Sequence, residues 1–218
     1  MNKLFDIDSP FMQAMSRIVD LVLLSLLWFV CCLPVITIGP STTAMYYVTL
    51  KMARKEELKI TKEFFSAFKS NFKQSTIMNL IFLVIGAILA ADYLIMSAAE
   101  DTMGMLSSVC FFVMFIWLLC VVFYAYPLQA QFYNTIKQTM INAAILSMRK
   151  FLYTVIIFVL NMLPVLLAYM PWGSMLLVRT APLWVLLMPG VVAFINGKLF
   201  AKMFDPFLKA GKEETEDE

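Results

Sequence analysis

Few side chains in this sequence could do chemistry. There is no histidine, and the four cysteines, Cys31, Cys32, Cys110 and Cys120, all lie inside apolar runs. None has the spacing that gathers metal ligands, and buried cysteine packs as a small hydrophobe. No HExxH pair, GxSxG elbow or Walker loop occurs. Asp92 sits late in a long apolar run, close to Glu100 and Asp101. A carboxylate within a membrane span is a candidate for binding or transport. Asn161 is a second polar group in apolar surroundings and can hydrogen-bond a neighbouring helix. The adjacent pair Glu100 and Asp101 reads as solvated loop charge. The expectation is therefore no enzyme, no catalytic residue, no cofactor and no metal. One chemistry stays open, an intramembrane polar site at Asp92 and Asn161.

The elements that must position those residues are set by composition. The 218 residues are 61% hydrophobic and only 15% charged, where soluble proteins carry about 25% charge. Several uncharged runs are long enough to span a bilayer, which predicts an all-α, polytopic transmembrane helix bundle. A β-barrel would alternate polar and apolar residues in short segments instead. A formal net charge of +2 gives no reason to expect a nucleic-acid partner; the partner implied is the lipid bilayer. Asp6 and Asp8 occupy the place of a basic leader region, so no cleavable signal peptide is expected.

The longest uncharged stretch, Leu21 to Leu50, is too long for one span. Gly39-Pro40 inside it predicts a hairpin corner, glycine ending one helix and proline starting the next. Ser41, Thr42 and Thr43 then offer hydroxyls to the new helix start. The chain divides into a lead-in at 1–16, amphipathic or loosely ordered, a membrane domain at 17–205 and an acidic disordered tail at 206–218. Six membrane segments are expected, at about 17–37, 40–54, 75–96, 103–126, 151–170 and 181–200, the second one short. Arg17 and Asp20 are one turn apart and can pair. Pro34 should bend the first span and Pro189-Gly190 should break the sixth. Trp172, between Pro171 and Gly173, marks a headgroup boundary.

Between the second and third spans, Phe64, Phe65, Phe68 and Phe72 fall in one helical band, with Lys62, Lys69 and Lys73 opposite. That pattern predicts an amphipathic helix lying at the cytoplasmic interface. It reads either as a membrane-surface connector or as a docking surface for a cytoplasmic partner. The polar stretch after Pro127 predicts a second cytoplasmic helix, to about Lys150. Six spans with both termini cytoplasmic put every lysine and arginine except Arg179 inside, as the positive-inside rule favours. Leu33-Pro34-Val35 recurs as Leu163-Pro164-Val165, which hints at a repeat with spans one and five parallel.

The stretch Leu27-Trp28 through Cys32-Leu33-Pro34-Val35-Ile36-Thr37-Ile38-Gly39-Pro40, then Ala44-Met45-Tyr46-Tyr47, resembles the signature of the bacterial YesL family. Phe64-Phe65-Ser66-Ala67-Phe68 through Gln74 resembles that family's second block. The resemblance implies a multi-pass protein of the cell membrane in Gram-positive bacteria, often encoded beside carbohydrate ABC importers. It implies an accessory role, with ABC permease or ATPase subunits as partners contacted at the inner face. It supplies no catalytic residues. The alternative is an independent small-solute transporter or channel, its path framed by the proline-broken helices.

Overall fold

Proline and capping residues cut the apolar runs into helices. The computed structural model describes residues 10–98, 101–168, 175, 179 and 186–216. Among them no strand occurs. Helix α1 covers Pro10–Cys32, and a single 3-10 turn, Val35–Thr37, leads into α2 at Ile38–Ala53. Helix α3 covers Ile60–Ser97 and α4 Thr102–Gln131. Helices α5, Ile136–Arg149, and α6, Phe151–Ala168, follow, and α7 covers Met188–Glu216.

Among the described residues, three helices are long and apolar enough to cross a membrane: α1 from Met15, α3 and α4. A fourth crossing is available if α5 and α6, bent by 103° at Lys150, count as one broken span. Their outer surfaces carry Ile77, Leu80, Ile88 and Leu94 on α3 and Leu106, Phe112, Val113 and Trp117 on α4, all exposed. So large an apolar surface has no place in water and suits lipid. The chain is a multi-pass membrane protein.

The corner after α1 differs from the sequence reading. Helix α1 stops at Cys32, five residues before the expected end, because Pro34 has no N–H to give. The Thr37 hydroxyl donates to the carbonyls of Cys31 and Pro34, at 2.6 and 2.8 Å, and closes the turn there. Gly39 and Pro40 are therefore not the tip of a hairpin but buried residues of the first turn of α2. The hydroxyls behind them are not caps either. Ser41 donates back to the Thr37 carbonyl at 2.7 Å, and Thr43 bonds Ser75 of α3 at 2.9 Å.

At its other end α2 closes with reciprocal bonds, Lys55 N–H to Met52 carbonyl and Glu56 N–H to Lys51 carbonyl, at 3.1 and 3.2 Å. This wrap needs a left-handed residue, and Lys55 takes φ 60° where glycine is usual. Helix α2 then sits in the middle of the bundle, packed on α1, α3, α4 and α7.

Helix α3 corrects a second expectation. The periodicity of the phenylalanine band predicts a separate interfacial helix ahead of the third span. Instead one 38-residue helix runs through both. No proline or glycine stands between Ile60 and Ile85, so nothing interrupts the hydrogen-bond ladder. Helix α4 runs antiparallel to it: Tyr126 meets Asn79 at one end and Tyr93 meets Phe112 at the other. Its start is capped by Asp101, which accepts from the Gly104 N–H at 3.1 Å and so is more than a solvated loop charge. Thr135 and Gln138 form a capping box that starts α5.

Two more boundaries shift. Helix α1 already begins at Pro10, inside the expected lead-in. The break expected near Pro189-Gly190 falls at Leu187, a turn between helical Leu186 and the start of α7, and Pro189-Gly190 lie in the first turn of α7, where a missing N–H costs nothing. That helix continues to Glu216 through the segment assigned to a disordered tail, since its lysines, glutamates and alanines are good helix formers. The expected interfacial Trp172, Glu100 and the lead-in up to Ser9 lie outside the described residues.

Candidate functional site

Two places combine shape with usable groups: the outer half of α3 and a cavity between five helices. At 1.5 Å per residue α3 is roughly 57 Å long, against a hydrocarbon core of about 30 Å. Its uncharged part begins after Lys73. The turns from Ile60 to Lys73, about 20 Å of helix, must then project along the helix axis past the apolar part. The phenylalanine band is divided by this packing. Phe64 is fully buried and Phe68 is half-buried on the core, stacked with Phe64 at 6.3 Å. Phe65 and Phe72 stay exposed, at 40% and 41%. Phe65 shares a shallow surface pocket with Lys59, Lys62 and Lys69. The structure thus separates the predicted docking residues: Phe64 and Phe68 hold the helix, and Phe65, Phe72, Lys62, Lys69 and Lys73 face outward.

The buttress beneath this projection is polar. Gln129 donates to Asn71 and accepts from Thr139, each at 3.2 Å, tying α3, α4 and α5 together. Gln74 donates to the Asn134 carbonyl. Lys51, in the last turn of α2, reaches Glu63 at 2.9 Å and lies over the Tyr47 ring at 4.7 Å. Both ends of the Lys51–Glu63 pair are about a quarter exposed, so its contribution to stability is small.

The cavity has a volume of about 510 Å³. Trp28 and Phe29 of α1, Met45 and Tyr46 of α2, and Phe123 and Tyr126 of α4 form much of its wall. Helices α6 and α7 add Leu160, Asn161, Met188 and Val192 to the wall, which is open on one side. Among the described residues no charged side chain lines it.

The intramembrane pair of the sequence reading is not brought together as one site. Asn161 lines the cavity, and its amide donates to the Ile157 carbonyl of its own helix at 2.7 Å rather than to a neighbour. Asp92 does not line the cavity and is half-buried near the end of α3. Arg17 and Asp20 form no ion pair within 4 Å; the Arg17 guanidinium lies 5.8 Å from the Phe194 ring centre. Among the described residues no three His, Cys, Asp or Glu side chains converge on a metal position.

Sequence reasoning passed over Asn79. Buried in the middle of the bundle, it donates to the Val35 carbonyl at 3.2 Å and accepts from the Tyr126 hydroxyl at 2.9 Å. It thereby joins the corner after α1 to α3 and α4. An asparagine within the uncharged run of α3 was the available signal, the same one that singled out Asn161.

The family described as "Protein of unknown function, DUF624" matches residues 21–93, a third of the chain. The matched segment starts in α1 and ends near the end of α3, so it takes in the buried α2 and the projecting turns of α3. No curated protein and no solved structure matches the chain.

Proposed function

We propose that this chain is an accessory protein of the bacterial cell membrane that works by contact with other membrane proteins at the inner face. The resemblance to the YesL family points to a carbohydrate ABC import system, with its permease or ATPase as the partner. One observation carries the reading: α3 is unbroken from Ile60 to Ser97. A helix lying in the headgroup plane would spend Phe65 and Phe72 on lipid. A helix projecting by about 20 Å holds them, with Lys62, Lys69 and Lys73, clear of the bilayer. An aromatic and cationic face on a rigid mount fits a protein partner. The topology proposed with it has six membrane segments and both termini cytoplasmic, α2 being a short inner segment screened from lipid by its neighbours.

The test is photo-crosslinking from benzoylphenylalanine placed at Phe65 and Phe72 in native membranes. Adducts with importer subunits are expected at both positions. Adducts with lipid alone would return this helix to the membrane surface and end the reading.

The second reading, a solute path, is favoured by the cavity at Asn161. Against it stands the position of Asp92, outside that cavity and on the half-exposed end of α3. Sugar or ion flux into proteoliposomes that falls in an Asp92→Asn variant would turn the conclusion to this reading.

A further inference from the structure

We propose that the cavity between α1, α2, α4, α6 and α7 is a binding site for a neutral amphipathic molecule, an apolar chain ending in an uncharged hydroxyl-bearing head. Its volume of about 510 Å³ falls in the range of small-ligand sites, about 300–1,000 Å³. The wall chemistry selects the class. With no charged lining residue among the described ones, a charged ligand would be left unpaired in surroundings of low dielectric. Aromatic and methionine side chains, Trp28, Phe123, Met45 and Met188 among them, offer adaptable apolar contact to a chain. A wall of this kind holds water poorly.

The polar end is set by groups with unused capacity. Asn161 spends one N–H on Ile157, which leaves its second N–H and its carbonyl oxygen. Thr42 receives the Trp28 indole N–H at 3.2 Å, so its own hydroxyl hydrogen has no acceptor among the described residues. Tyr46 lends its ring to the wall, while its hydroxyl receives the buried Asn196 amide at 3.4 Å in the bundle interior. Unspent donors on Thr42 and Asn161, with the Asn161 carbonyl as acceptor, suit a hydroxyl head that both accepts and donates. The inference does not depend on the docking role of α3.

The experiment uses the full chain in nanodiscs and a diazirine-bearing monoacylglycerol as probe, with labelled residues mapped by mass spectrometry. Labelling is expected to concentrate in Val122–Tyr126, Leu160–Asn161 and Met188–Ala193. Excess monooleoylglycerol should reduce it at least tenfold, while the phosphate-bearing lysophosphatidic acid of the same chain should not. A free fatty alcohol competing as well as the glyceride would identify the source as any hydroxyl-ended chain rather than a glyceride lipid. A Val192→Trp variant, which fills the cavity, should lose the labelling and keep its thermal transition. An Asn161→Leu variant should bind the alcohol and the corresponding headless alkane alike. Labelling spread evenly over lipid-facing residues such as Leu80 and Leu94, or equal competition by the charged lipid, would overturn the proposal. The wild-type competition decides it even if both variants fail to fold.

Discussion

Helices α2 and α3 are both apolar enough to look alike in sequence, yet they meet opposite surroundings. Helix α2 buries eleven of its sixteen residues, among them Gly39, Ser41, Thr43, Ala44 and Thr49. Helix α3 turns Leu80, Leu83, Val84, Ile88 and Leu94 outward. Hydrophobicity does not separate the two fates, since lipid tails and protein interiors are equally apolar. Small and hydroxyl-bearing residues do. They let backbones approach and supply bonds between helices, whereas large aliphatic residues fill lipid-facing surface. At Gly39 an added Cβ would stand 2.5 Å from the Ser75 carbonyl oxygen. At Gly190 of α7 it would stand 2.5 Å from the Leu21 carbonyl oxygen of α1, and the Gly190 N–H donates to Ser25 at 2.9 Å. The bundle is held where such crossings occur.

The largest effect should come from breaking the inner helix at its closest approach. Gly39→Leu forces backbone against backbone and should cost more than about 3 kcal/mol, seen as loss of a cooperative thermal transition in detergent. Gly86 on α3 is the control: its added Cβ would meet Leu118 at 3.7 Å, an ordinary contact, so Gly86→Ala should be neutral or stabilise by up to about 1 kcal/mol. A transition equally sensitive at both glycines would erase the distinction drawn between the helices.

Next is the continuity of α3. Lys73→Pro removes the bond from its N–H to the Lys69 carbonyl at an exposed position and should cost about 3 kcal/mol. It should also abolish partner crosslinks from Phe65 while the chain still inserts in the membrane. Unchanged crosslinking would mean that the rigid mount is irrelevant to docking.

Asn79→Ala removes the bonds from α3 to the corner after α1 and to Tyr126 of α4 and should lower stability by about 1 kcal/mol, measured by denaturant titration in detergent. The smallest effect is expected at the end of α2. Lys55→Gly relieves a left-handed lysine and should raise stability by about 0.5–1 kcal/mol in the same assay. A loss there would mean that the Lys55 side chain makes a contribution larger than its backbone strain.

How much was legible in the sequence depends on the range of the forces involved. The multi-pass class was readable because a bilayer selects long uncharged runs whatever their neighbours. The stop after α1 was half readable: Pro34 was noticed as a bend, but the stronger turn signal of Gly39-Pro40 drew the corner too late. Glycine serves turns and close helix crossings alike, and only the presence of Ser75 across from it tells which. The phenylalanine band had the periodicity of a helix lying on a surface, and that periodicity was real. What it could not show was that Phe64 and Phe68 face protein, while nothing ends the helix before the span. Asn161 was found because polar groups in apolar runs are conspicuous; its place on a cavity wall depends on four other helices.

The sequence by itself determined that this protein is helical and that it belongs in a membrane. Those outcomes follow from local rules of backbone hydrogen bonding and from the cost of charge in hydrocarbon. Tertiary structure alone decided which apolar faces meet protein and which meet lipid. It also decided that α2 is the inner helix, that Asp92 and Asn161 stay apart, and that a cavity opens beside Asn161. Those outcomes depend on how side chains distant in sequence share one volume, and no local pattern records that.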